Sequence, residues 1–308
     1  MSDPAKAAQL RGVGKRYGSR WAVQDLDLDL NFGQVVGFIG PNGAGKTTLI
    51  RMMTGLSTAS TGKIEVLDTD LTRQTRSPDG IGMVAEHPRF VPYLSARKNL
   101  RLLARIRNVA SDEDIAETLR RVGLDPQDRR AVRGYSLGMR QRLGVAQALM
   151  ERPRLLFLDE PTNGLDPRGI VEFRELIRQL AAAGVAVFVA SHLLTELEQV
   201  CDRVLFVRRG RVLEELDLHC FQEETVRVSV TGPDDVAALR EWAAHAGIAL
   251  TDQDDTRWPT VELATSDVPE TLAHLIRAGV RIEAVNRTQR SLEQRFLELT
   301  GSESEGVS

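Results

Sequence analysis

The residues Gly40-Pro41-Asn42-Gly43-Ala44-Gly45-Lys46-Thr47 have the spacing GxxxxGK[ST]. Glycines there let successive backbone N–H groups curl around a phosphate, and a helix starting at the loop's end adds its positive dipole. Lys46 would carry a point charge to the β- and γ-phosphate oxygens of ATP, and the Thr47 hydroxyl would offer a hard oxygen to Mg²⁺. Two further polar pairs end short apolar runs: Asp159-Glu160 and Ser191-His192. Asp159 is expected to order the metal through water, and Glu160 to polarise a water that attacks the γ-phosphate. His192, at a third strand end, would lie in the crevice where α/β sheets bind ligands.

The elements that must bring these groups together can be read from periodicity. Residues 23–30 alternate, with Leu26, Leu28 and Leu30 on one face and Asp25, Asp27 and Asp29 on the other, as in a half-exposed antiparallel strand. Residues 34–39, 154–159 and 185–190 are apolar on both faces, the pattern of buried parallel strands, and a helical stretch over 168–183 lies between the last two. The alternation predicts a covered α/β sheet. Helical patterns at 99–106, 112–122 and 139–150 predict a helical insertion spanning about 88–150.

Beyond residue 218 a second unit is expected. Strand-like 226–230, helical 234–246, strand-like 248–251 and 260–264, helical 268–278 and strand-like 280–285 give the order βαββαβ of a small ferredoxin-like domain. A last helix is expected over 291–299, and a disordered Ser/Glu/Gly tail over 302–308. The domain reading is therefore 1–218, 219–301 and the tail.

Composition sets bounds on partners. Forty Lys and Arg against 43 Asp and Glu leave a net charge of -3, with no whole-chain attraction to nucleic acid or anionic lipid. Cys201 and Cys220 have no metal or CxxC spacing and read as reduced thiols. His87, His219, His245 and His274 show no metal spacing either. The N-terminus has no apolar stretch of a signal peptide. The longest apolar run, 180–190, is broken only by Gly184 and is far short of the roughly 20 residues that cross a bilayer. If the chain works at a membrane, another chain supplies the spans.

In order, the sequence presents the phosphate loop, a helical stretch, Tyr135-Ser136-Leu137-Gly138-Met139-Arg140-Gln141-Arg142-Leu143, Leu158-Asp159-Glu160-Pro161-Thr162, Gly164-Leu165-Asp166 and Ser191-His192. Over about residues 8–215 this set resembles the nucleotide-binding subunits of ABC transporters. The resemblance implies a P-loop NTPase fold of the ABC type: a parallel-sheet core, an antiparallel strand subdomain and the helical insertion. It also implies roles. Tyr17 would stack on adenine. Gly40, Pro41, Asn42, Gly43, Ala44, Gly45, Lys46, Thr47 and Thr48 would hold the phosphates and magnesium, with Asp159 supporting the metal. Glu160 would be the general base, and His192 would contact the γ-phosphate. Ser136 and Gly138 would approach the γ-phosphate held by a second subunit, with Asp166 at that interface, so that two chains sandwich two ATP molecules.

Two departures from the family's pattern stand out. Glu86 occupies the place of the usual Gln, keeping an oxygen for the metal while adding negative charge near the γ-phosphate. The signature reads Ser-Leu-Gly-Met rather than Ser-Gly-Gly-Gln, keeping Ser136 and Gly138. These variants, and the terminal 291–301, resemble the bacitracin and daunorubicin type of bacterial exporter subunit. The expected function is an ATP hydrolase at the cytoplasmic face of the membrane, working as a homodimer on a separate integral membrane permease that meets the insertion near 88–99. The short C-terminal unit does not read as the regulatory barrel of sugar importers, which favours export. A soluble ABC ATPase acting as a regulatory, ribosomal or DNA-associated switch is the alternative. It fits less well, because the chain has one motif set and only about 90 residues separate Lys46 from Ser136.

Overall fold

The register of the central strands is what gathers the site. In a computed structural model, which describes residues 6–73, 75–218, 224–246, 250–253, 260–264, 268–289 and 292–301, the chain divides into two units, Met1–Asp217 and Leu218–Ser308. The first contains β1 (Lys6–Tyr17), β2 (Arg20–Asn31), β3 (Val35–Ile39), α1 (Lys46–Met53), β4 (Thr61–Val66), β5 (Thr69–Asp70) and β6 (Ile81–Val84). It continues with α2 (Ala96–Arg107), α3 (Asp112–Arg121), a 3-10 turn (Val132–Gly134), α4 (Leu137–Leu149), β7 (Leu155–Asp159), α5 (Pro167–Ala182), β8 (Ala186–Ser191), α6 (Leu194–Leu197), β9 (Arg203–Arg208) and β10 (Arg211–Asp217).

Strands β3, β7 and β8 are buried at every residue, as their unbroken apolar runs require. They lie in one six-stranded sheet of order β10-β9-β3-β8-β7-β6, in which β9, β3, β8, β7 and β6 run parallel. Ile39 pairs with Ser191 and Asp159 with Ala190, so the strand ends that carry the loop, the carboxylates and the histidine emerge side by side. A second sheet, β2-β1-β4-β5, is antiparallel. Helix α1 is packed between the two: Leu49, Ile50, Met52 and Met53 share a core with Leu10, Leu26 and Leu28 of one sheet and Phe38, Phe157 and Phe188 of the other. The Phe38–Phe188 and Phe157–Phe188 rings stand tilted, 5.6 and 5.9 Å apart.

Sequence periodicity did not mark β1. Its pairing with β2 and with β4 slips between Leu10 and Gly14, where Gly12 takes φ 57°. A bulge of this kind resets the two-residue alternation, so Leu10 and Val13 are both buried three residues apart. The short strands β4, β5, β6, β9 and β10 also went unread. The insertion helices begin where their caps place them: Ser95 caps α2, Ser111 and Asp114 form a capping box on α3, and Ser136 caps α4.

The second unit is built from β11 (Glu224–Val230), α7 (Pro233–Ala246), β12 (Leu250–Gln253), β13 (Thr260–Ala264), α8 (Val268–Arg277), β14 (Ile282–Gln289) and α9 (Leu292–Gly301). Its antiparallel sheet has the order β12-β13-β11-β14, the ferredoxin-like arrangement expected from βαββαβ. Val228, Val230, Leu239, Leu275 and Val280 form its core. Cys201 is a buried free thiol whose pKa is pushed up by desolvation. Cys220, His219 and the tail at 302–308 lie outside the described residues.

Candidate active site

The loop between β3 and α1 is shaped by two close approaches. Gly45 precedes the first turn of α1 at φ 108°, and a Cβ there would sit 2.2 Å from the Ala22 carbonyl oxygen. A Cβ on Gly40 would meet the Val207 carbonyl oxygen at 2.4 Å. Only glycine fits at either place. Lys46 starts α1, is nearly buried, and donates from Nζ to the Gly40 carbonyl at 2.6 Å.

A cavity of 420 Å³ opens over this loop, lined by Tyr17, Arg20, Ala22, Asn42, Gly43, Gly45, Lys46, Thr47, Thr48, Glu86, Asp159 and Glu160. Gly40, Pro41 and Ala44 are not in its wall. The Gly40 and Pro41 carbonyls instead hold the Lys46 ammonium, and the Ala44 side chain packs into the core. Arg20 and Ala22 were not expected in the wall. They enter it because β2 begins just after the Tyr17 end of β1, a pairing that the broken alternation of β1 hid.

At the end of β7, Asp159 accepts a hydrogen bond from the Thr47 hydroxyl at 2.8 Å. Burial pushes the Asp159 carboxyl above its ordinary range. The Thr47 hydrogen bond opposes this, while the charges of Glu160 and Glu86 push in the same direction as burial. A hydroxyl and a desolvated carboxylate side by side, with a second carboxylate in the same wall, form a hard-oxygen set that fits Mg²⁺. Among the described residues no group of three or more His, Cys, Asp and Glu is placed to hold a metal ion.

Glu160 takes φ 50°, a left-handed conformation that costs a residue with a side chain about 1–2 kcal/mol. Its N–H donates to the Ala190 carbonyl at 2.8 Å, which holds the turn against β8. The side chain is then surrounded. Lys46 Nζ lies 3.2 Å from Oε1, while Oε2 accepts from Ser191 Oγ at 3.2 Å and the His192 N–H at 3.3 Å. His192 Nδ1 lies 2.8 Å from the same Oε2, with the imidazole half-exposed. Ser191, fully buried, is named in the sequence only as the neighbour of His192; its contact with Glu160 comes from the pairing of β7 with β8, which local spacing does not show.

Ser136 and Gly138 are elsewhere. They line a separate cavity of 680 Å³ with Asp166, Gly164 and Leu165, and no residue is common to its wall and that of the phosphate-loop cavity. Ser136 Oγ accepts from the Met139 N–H at 3.2 Å, and Asp166 caps α5 by accepting from Gly169 at 2.8 Å. Leu137 packs over Gly164, where a Cβ would come within 2.1 Å of Leu137 Cδ2.

Comparison with known proteins adds the family context. The ABC transporter family model matches residues 23–163. The chain is 44% identical over 204 residues to the bacitracin transport ATP-binding protein BcrA of Bacillus licheniformis, covering 66% of this chain and 67% of that protein. It is 37% identical over 317 positions to the daunorubicin resistance ATP-binding protein DrrA3 of Streptomyces coeruleorubidus, covering 98% of each. A dimeric ATP-binding cassette in a post-hydrolysis state, bound to ADP and Pi, shares its fold at 23% identity and a TM-score of 0.62, over 68% of this chain and 98% of that one.

Proposed function

This chain belongs to the ATP-binding proteins of ABC transporters, and on that premise we propose that it powers the export of an antibiotic-like or otherwise hydrophobic molecule through a separate membrane permease. It is an ATP hydrolase. The observation that carries the two-copy part of this reading is the split site: phosphate-loop residues line one cavity and the Ser136–Gly138 loop another, with no shared wall. A helix N-terminus suited to an anion, standing apart from its own chain's phosphate loop, is supplied with phosphate by a second copy. The working unit is a homodimer that encloses two ATP molecules, and the fold shared with a dimeric cassette supports this.

Within each half-site Tyr17 stacks on the adenine, Asn42, Gly43, Gly45, Thr47 and Thr48 bind the phosphates and Lys46 neutralises their charge. Thr47, Asp159 and the carboxylate of Glu86 would hold magnesium, which would screen the charge on the phosphate oxygens. Glu160 accepts a proton from the attacking water, and Ser191 and His192 keep its carboxylate aimed. His192, half-exposed, contacts the γ-phosphate while its Nδ1 stays on Glu160.

Among the described residues no helix is long and apolar enough to cross a membrane. The permease therefore brings the chain to the cytoplasmic face. Tyr93, Leu102 and Ile106 leave large apolar side chains exposed on the insertion, a surface that suits a hydrophobic partner. The relatives named for bacitracin transport and daunorubicin resistance support export, and with it the substrate class.

The test is reconstitution with a candidate multi-span membrane permease. ATP-driven efflux of a peptide antibiotic or an anthracycline from vesicles, abolished by Lys46→Ala, is the expected result. ATPase activity first order in protein, with no efflux, would overturn both the dimer and the transport reading.

A further inference from the structure

Tyr135 immediately precedes Ser136 and is only 4% exposed. It is anchored at three separate atoms. Its N–H donates to the Val132 carbonyl at 3.0 Å, closing the 3-10 turn, and its own carbonyl accepts from the Arg140 guanidinium. Its phenol donates to Asp128 Oδ2 at 3.2 Å. The two backbone anchors are open to any residue; the third requires a tyrosine.

Asp128 is itself braced. Arg130 donates to it from Nη2 at 2.8 Å and lies over the Tyr135 ring, 5.6 Å from the centroid. Arg130 holds the Asp128 carboxyl below its ordinary range, so the acceptor stays charged, and desolvation raises the phenol's pKa, so the donor keeps its proton. A charge-assisted hydrogen bond in this setting is directional and stronger than a neutral one. The Ser136 hydroxyl oxygen is already occupied by the Met139 N–H, which fixes the rotamer and leaves the hydroxyl proton to donate into the cavity it shares with Gly138 and Asp166.

We propose that the Asp128–Tyr135 pair is a strut that positions Ser136 for the γ-phosphate bound by the second copy, which makes Tyr135 and Asp128 positioning residues of the hydrolysis reaction. This rests on the reading that Ser136 acts across the dimer. The strut fixes the hydroxyl before the copies meet, so ordering of the loop is not charged against closure.

The experiment compares Tyr135→Phe, Asp128→Ala, Asp128→Asn and Ser136→Ala in the full chain. Turnover of Mg-ATP is followed against protein concentration, alongside binding of a fluorescent ATP analogue and thermal melting. Tyr135→Phe keeps the ring and is expected to lower maximal turnover about 3- to 10-fold, the loss of one hydrogen bond, and to raise the protein concentration at half-maximal rate. Affinity for the analogue, set by the phosphate loop, stays within about twofold, and the Tyr135→Phe/Asp128→Ala double variant is no slower than the slower single one. Asp128→Asn retains an acceptor and recovers part of the loss. If Tyr135→Phe fails to fold, Asp128→Asn and Asp128→Ala decide by the same readouts. Wild-type turnover in Tyr135→Phe with a slow Ser136→Ala overturns the strut and leaves the split site standing. Wild-type turnover in Ser136→Ala overturns both.

Discussion

Lys46 Nζ and Glu160 Oε1 lie 3.2 Å apart, and both side chains are more than nine-tenths buried. On the proposed reading the same ammonium meets the phosphates, so phosphate oxygens and the Glu160 carboxylate would compete for a single cation, and ATP binding would leave Glu160 to Ser191 and His192. Glu160→Gln removes the charge that Lys46 pairs with and the base together. ATP binding is expected to persist, hydrolysis to fall by ~10²–10⁴-fold, and a closed dimer to accumulate on size-exclusion chromatography with Mg-ATP. A variant that stays monomeric and turns over at the wild-type rate would show that Glu160 is not the base.

Lys46→Ala has a second consequence besides loss of phosphate binding. It strands the Glu160 carboxylate in a buried site, and breaking such a pair costs about 3–5 kcal/mol. Lys46→Met restores neither the charge nor the hydrogen bond to Gly40 but fills the volume, so it is expected to melt above Lys46→Ala while remaining equally inactive. Melting curves and ATPase assays on the two variants separate packing from charge.

Asp159 titrates in the opposite sense from a salt-bridged carboxylate. Its folded pKa is raised, chiefly by burial, so the stability it contributes is complete below its unfolded value of 3.8 and is lost as pH rises through the folded value. Asp159→Asn keeps an oxygen for the Thr47 hydroxyl and removes the desolvated charge. The variant is expected to melt higher than wild type at pH 7 without nucleotide, to lose that advantage below the ordinary carboxylate range, and to lose Mg-dependent ATPase. Calorimetry across pH checks the first two, and a magnesium titration the third.

Leu137, one of the departures in the signature, packs against Gly164. Leu137 covers a glycine at φ 78° whose missing Cβ makes the space. Gly164→Ala meets both the strained φ and the leucine, at an expected cost of about 2–4 kcal/mol. Adding Leu137→Ala removes the clash and leaves the strain, so the double variant is expected to recover part of the loss in chemical denaturation.

On the outer face of β2, Asp29 is bound by Arg11 at 2.7 Å and Lys6 at 3.1 Å. The Arg11 hydrogen bond, reinforced by those from Lys6 and Gln9, lowers its pKa from 3.8 to about 2. A depressed carboxylate contributes stability above its unfolded pKa and loses it as pH falls through the folded one. Asp29→Asn should therefore destabilise the protein fully above pH 4, progressively less toward pH 2, and less in high salt, because the site is partly exposed.

Three of the parallel strands, β3, β7 and β8, were legible because burial on both faces leaves an unbroken apolar run, as in residues 185–190. The phosphate loop was legible because close backbone approach admits only glycine at positions 40 and 45. The ferredoxin-like order of the second unit followed from alternating periods of two and near 3.6 residues. Strand β1 was not legible, since a bulge at Gly12 breaks the alternation on which the reading depends.

What the amino-acid sequence determined by itself is the kind of chemistry: a phosphate loop, carboxylates ending one strand and a histidine ending another. Such patterns are local, because a few consecutive side chains and their backbone generate them. The tertiary structure decided which groups touch. Ile39 aligned with Ser191 and Asp159 with Ala190 draw Lys46, Glu160, Ser191 and His192 into one network, while Ser136 remains in a cavity of its own. Strand register and the anchoring of Tyr135 by Asp128 depend on contacts between residues remote in the chain or brought together by a loop, and no local spacing encodes them.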